Sequence, residues 1–196
     1  MRYYTSETAK ILISVMRENF TIEDKATGKI YWISRAVAVT GVIMASDGND
    51  FWFLLERRGP GCPDNVGKLC SVCGYLNWDE TRFDALKRET YEETGLKVSD
   101  DQVLEFETVD DPNRDAKQNI VTRYLIAYNY EDLQKAFIDG TINTDTKSRG
   151  GEEGEVSEFV LLSLKEIDAL KSEDFAFGHK EMIHEILESI EKLRKG

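Results

Sequence analysis

The chain has 196 residues, 41% of them hydrophobic, and a formal net charge of −12. That length suits one domain with a substantial core and leaves a second independent domain cramped. The acidic balance, with no face of clustered Lys and Arg, points away from a duplex nucleic-acid partner even where a nucleotide is the substrate.

A cytoplasmic protein with no membrane association is expected. The opening MRYYTSETAK has no signal-peptide pattern, and the longest apolar stretch, residues 36–45, is broken by Thr40 and Gly41 and is too short to span a bilayer. Cys62, Cys70 and Cys73 make an odd number, which fits a reducing compartment and three free thiols.

Residues 5–17 place Ala9, Leu12, Ile13 and Met16 at helical spacing, and residues 20–33 read as a hairpin around Ala26-Thr27-Gly28. Residues 1–34 are therefore expected to form an N-terminal extension packed on a main domain of residues 35–196. A homodimer contact is the alternative role for its helix. Residues 34–45 are rich in Val and Ile and read as a buried strand; residues 47–50 form a turn and residues 51–56 an antiparallel partner.

Arg57 and Arg58 end that partner ahead of Gly59-Pro60-Gly61, and paired Arg are candidates to bind a diphosphate. A surface pair balancing an acidic chain explains them equally well. Residues 67–74 read as the next strand. Cys70 and Cys73 form a CxxC without a second pair or a nearby His, so zinc is not expected. In the following loop, Trp78 is read as cover for the next helix rather than as a base-stacking residue.

That helix is expected between a cap at Asp79 or Thr81 and a stop at Gly95, since no Pro or Gly intervenes. Phe83, Leu86, Thr90 and Thr94 share its core side. Glu89, Glu92 and Glu93 are three and four apart on a neighbouring face, where like charges cost about 0.2–0.5 kcal/mol per pair. Such a face calls for a counter-charge, and a hard divalent cation fits, because Mg²⁺ takes one or two carboxylates and keeps waters and phosphate oxygens as its other ligands. Arg88, four before Glu92, is placed to hold a carboxylate.

Residues 103–109 and 120–130 read as strands across an acidic turn. Residues 132–137 give a short helical pattern, and the polar run to Gly151 reads as a mobile loop. A strand over 156–162, a helix over 164–170 and an amphipathic helix over 175–193 complete the chain, with His179 read as a capping or packing residue.

Residues 74–96, GYLNWDETRFDALKRETYEETGL, resemble the Nudix box, Gly-x5-Glu-x7-Arg-Glu-U-x-Glu-Glu-x-Gly-U with U aliphatic. Every fixed position matches except the first U, which is Thr90, whose hydroxyl is expected to bond the carbonyl four residues back. The resemblance implies an α/β fold, a Nudix-type α/β/α sandwich with a mixed β-sheet. It also implies metal-dependent hydrolysis of a diphosphate linkage in a nucleoside diphosphate derivative, with ADP-ribose or another sugar nucleotide as the small-molecule partner. By the same resemblance Glu89, Glu92, Glu93 and the Gly74 carbonyl hold Mg²⁺, or Mn²⁺ as the alternative ion. Glu89 or Glu155 is then the base, Arg88 belongs to the catalytic group, and Glu80 supports it. The other readings are a nucleoside triphosphate pyrophosphohydrolase and a non-catalytic Nudix-fold nucleotide sensor.

Overall fold

In the computed structural model, which describes residues 20–24, 26–114 and 119–195, the chain divides into two units, Met1–Ala36 and Val37–Gly196. In the first, β1 (Phe20–Asp24) and β2 (Lys29–Ile33) pair antiparallel, with Phe20 opposite Ile33 and Asp24 opposite Lys29. Asp24 closes the turn: its carboxylate accepts from Ala26 N at 2.9 Å and from Thr27 Oγ1 at 2.7 Å. The helix expected over residues 5–17 lies outside the described residues.

The second unit contains β3 (Val37–Ser46), β4 (Phe51–Arg58), β5 (Leu69–Cys70), β6 (Val72–Tyr75), α1 (Arg82–Thr94), β7 (Val103–Val109), β8 (Ile120–Asn129), α2 (Tyr130–Ile138), β9 (Val156–Ser163), α3 (Leu164–Ala169) and α4 (His179–Lys195). The sheet is mixed, with β3 parallel to β8 and antiparallel to β4 and β6, β7 antiparallel to β8, and β9 antiparallel to β4. Because β3 is covered on both faces, it reads as a continuous apolar run whose alternate residues serve two cores. Val39, Ile43 and Ala45 join Ala85 and Leu86 of α1 and Leu133 of α2. Val42 and Met44 join Ile167 of α3 and Ile183 and Ile186 of α4. The result is the expected α/β/α sandwich.

Gly41 lets α1 approach β3. A Cβ there would lie 2.8 Å from Leu86 Cδ1 and 2.9 Å from Ile126 Cδ1. Gly41→Ala is therefore expected to cost about 1–3 kcal/mol in urea unfolding, the usual penalty of overpacking. A neutral result would mean that the two side chains yield without strain.

Strands β3 and β4 pair only between residues 43–46 and 51–54 and then part. The parted ends are bridged by different strands, β6 on residues 38–41 of β3 and β5 on residues 56–57 of β4. The single strand expected over 67–74 is thus two short ones that step at Ser71. At the step, Ser71 N donates to His179 Nδ1 at 3.0 Å. The last helix starts later than its apolar pattern suggests, because Phe175 pairs with Leu69 and Ala176 N donates to Leu69 O at 2.8 Å. Leu69 thus holds residues 175–176 against β5, and a turn at residues 177–178 precedes the helix start at His179.

Candidate active site

The mouth of this fork faces α1. Thr81 caps the helix in a reciprocal bond pattern with Asp84, and Gly95 ends it at φ 82°, a conformation glycine adopts without the penalty of a side chain. The Thr90 hydroxyl donates to Leu86 O at 2.7 Å, so a polar residue is satisfied inside the core. Glu93 shares this buried side of the helix and is only 2% exposed. Its Oε2 accepts from Cys73 N at 3.3 Å.

Arg88 is the counter-charge of the acidic face. Its guanidinium donates to Glu89 at 2.7 Å, to Glu92 at 3.0 Å, to both oxygens of Glu80 at 2.7 and 3.0 Å, and to Tyr75 O at 2.9 Å. A second cation comes from the segment expected to be a mobile loop. Arg149 donates to Glu92 O at 3.1 Å and to Glu93 O at 2.7 Å, so it satisfies the C-terminal carbonyls of α1 and complements their partial negative charge. Gly74 faces Glu89, and a Cβ there would fall 2.0 Å from the Glu89 carboxylate, which gives the first box glycine a steric reason.

Sequence reasoning missed Glu56. It lies on β4 in phase with Leu54, which packs on the α1 side, and is 2% exposed. Its Oε1 accepts from Cys70 Sγ at 3.1 Å, while its Oε2 has no partner among the described residues. An acidic residue at a core-facing position of a buried strand was the available signal. Burial first, and then the neighbouring carboxylates, push the acids up. Glu56 rises to about 8 and Glu89 to about 7, with Glu93 well above the ordinary range and Glu155 raised.

Glu155 is held by its own backbone, which ties the loop to residues 59–62. Gly59 N donates to Glu155 O at 2.7 Å, Gly61 N to Gly154 O at 2.8 Å and Cys62 Sγ to Glu155 O at 3.1 Å. The Glu155 carboxylate joins Gly74, Arg88, Glu89 and Glu92 around a cleft of about 440 Å³.

The two candidate arginines separate, since neighbouring strand residues point to opposite faces. Arg58 lines the cleft and donates to Asp64 O at 3.1 Å, whereas Arg57 pairs with Glu158 at 2.8 Å and lines a different cavity. Trp78 does not cover the helix as expected; it is 91% exposed. Cys62, Cys70 and Cys73 are free thiols.

Among the described residues, no three carboxylate, thiol or imidazole groups converge as a metal requires. Glu89 and Glu92 are turned onto Arg88 instead. The donor set of Glu89, Glu92, Glu93 and the Gly74 carbonyl still fits a hard cation, because every donor is an oxygen, and Glu56, whose charge acts on buried Glu93, has a buried oxygen without a partner among the described residues.

A model of the NUDIX domain matches residues 34–186, and the chain belongs to that family. No curated protein sequence matches the chain. Among solved structures, the NUDIX domain of Shewanella oneidensis NrtR complexed with ADP ribose is 16% identical with TM-score 0.61, over 92% of this chain and 97% of that one. A Francisella tularensis bifunctional NMN adenylyltransferase/ADP ribose pyrophosphatase complexed with AMP and a Mn ion is 17% identical with TM-score 0.55, over 80% of this chain and 42% of that one.

Shewanella oneidensis NrtR complexed with a 27mer DNA is 18% identical with TM-score 0.57, over 79% of this chain and 61% of that one. That complex corrects the expectation of no duplex nucleic acid, which rested on the net charge of −12. A net charge sums the whole chain, whereas nucleic-acid contact depends on the charge of a local surface, so the sum does not exclude such a partner. Among the described residues, no helix is long and apolar enough to cross a membrane.

Proposed function

We propose that this chain hydrolyses the diphosphate linkage of a nucleoside diphosphate derivative, with ADP-ribose or a related sugar nucleotide as substrate, in a metal-dependent reaction. The observation that carries the reading is the meeting of the box acids Glu89 and Glu92 with Glu155 and Arg58 around one cleft. Neighbours of the same fold bound to ADP ribose, or to AMP and a Mn ion, support it.

Glu89, Glu92, Glu93 and the Gly74 carbonyl would hold Mg²⁺ or Mn²⁺. Such an ion, when bound, neutralises the diphosphate and lowers the pKa of a coordinated water. Glu89 or Glu155 takes the proton of the attacking water as its oxygen bonds to phosphorus and the bridging P–O bond breaks. A carboxylate raised above the ordinary range is a better acceptor for that step than an ordinary one, and Glu155, which is not among the groups that would hold the ion, is raised by burial. Arg88 and Glu80 keep the box carboxylates in place, and Arg58 offers a cation to the phosphates.

Side-by-side assays test the substrate. ADP-ribose should be cleaved faster than a nucleoside triphosphate, with AMP and ribose 5-phosphate as products, and a clear preference for the triphosphate would reverse the assignment. A sensor that binds without turnover is the second reading. It is favoured by the grip of Arg88 on both Glu89 and Glu92, and binding of ADP-ribose with no product would select it.

A further inference from the structure

His179 is 4% exposed, yet its ring lines the cleft. Its Nδ1 accepts from Ser71 N at 3.0 Å, and a backbone amide can only donate, so Nδ1 is the unprotonated nitrogen. In the neutral ring the proton therefore sits on Nε2. No acceptor is found for Nε2 among the described residues, and it is not among the fully enclosed polar atoms. Burial, together with the charges of Arg123 and Arg58, holds the ring neutral, with its pKa lowered to about 3.

The ring is also fixed in place. Ser71 is the step between β5 and β6, His179 opens α4, and the Phe177 ring lies 5.6 Å from it at an interplanar angle of 59°. Phe177 has φ 58°, an uncommon conformation for a bulky residue, and its ring in turn sits 4.9 Å from the Arg58 guanidinium. A buried N–H donor without an acceptor among the described residues, beside a cation and facing a cleft, is arranged for an anionic oxygen.

We infer that His179 is a binding residue whose Nε2–H donates to a phosphate oxygen of the ligand in the cleft, with Ser71 N fixing the tautomer. This rests on the reading that the cleft takes a phosphate-bearing ligand. Unlike a charged histidine, this donor keeps its proton across the neutral range and does not pair with the box carboxylates.

The chain has two histidines, so ring-nitrogen NMR of the whole protein at neutral pH, assigned with His184→Gln, can test this with inorganic pyrophosphate as the probe. The expected result is an Nε2–H tautomer whose signal moves as pyrophosphate is added. His179→Asn keeps an acceptor for Ser71 N but has no group at the Nε2 position. It should bind pyrophosphate about 10- to 100-fold more weakly at an unchanged melting temperature. His179→Gln keeps an N–H at that position and should bind more tightly than His179→Asn.

An Nδ1–H tautomer, an Nε2–H signal that pyrophosphate leaves unmoved, or wild-type affinity in His179→Asn would overturn the inference. If His179→Asn does not fold, the wild-type signal still decides. Loss of the hydrolase reading would appear separately, as absence of ADP-ribose turnover, with the ring signal still measurable.

Discussion

Glu93→Gln should lower ADP-ribose hydrolysis on the order of 10³-fold, as removal of a preorganised electrostatic group does, while raising the melting temperature of the metal-free protein. The two effects share one cause. Glu93 is buried beside Glu56, and among the described residues its carboxylate has a single backbone donor, Cys73 N, at 3.3 Å. Ionising it in that place is costly, and its pKa stands well above the ordinary range. Gln has the same shape, carries no charge at any pH, and so removes the repulsion between this position and Glu56. Excess Mg²⁺ should reverse the order, since binding to the native state stabilises it and the variant binds the ion less well. Should Glu93→Gln melt below wild type in EDTA, the glutamate is a structural hydrogen-bonding residue and this account of the acidic cluster is wrong.

In EDTA the wild-type protein should lose stability as pH rises from 6.5 to 8, against the common trend of a plateau there. Glu56 is pushed up to about 8 and Glu89 to about 7, from an ordinary value of 4.5, and Glu93 moves the same way. Over that window the native state binds more protons than the unfolded chain, so the slope of unfolding free energy with pH is negative. His179 acts in the opposite sense. Lowered from 6.5 to about 3, it costs stability only as pH falls below 6.5 and leaves the upper window to the carboxylates.

The loss from pH 6.5 to 8 should be about 2 kcal/mol, or roughly 4–8 °C in melting temperature for a chain of this size. Thermal melts across the window, repeated with Glu56→Gln, should show a shallower slope in the variant. Rising wild-type stability over the same range would mean that these carboxylates are already ionised in the fold.

What was legible in the sequence was what local pattern governs. The box helix followed from a capped, Gly-terminated run, and the buried strand over residues 34–45 from its Val and Ile content. The back-bond of Thr90 followed from the need of a core hydroxyl for a partner such as the carbonyl four residues back. What was not legible came from pairing across the chain. Glu56 and Glu93 are far apart in sequence and meet only because β4 parts from β3 and leaves room for β5 and β6.

Arg149 is one charge in a polar run until it reaches the carbonyls of Glu92 and Glu93. His179 has no sequence neighbour that gives it a role, and its partner is a backbone amide at a strand step. Arg57 and Arg58 read as a pair because they are adjacent, yet adjacency in a strand sends them to opposite faces. The net charge misled about nucleic acid because it is a sum without a location.

The most direct test of the central claim is the rate of AMP release from ADP-ribose by the purified wild-type chain, measured with Mg²⁺ and again in excess EDTA. Turnover that requires the ion and is restored on adding it back is the predicted result; the same turnover in EDTA would contradict it.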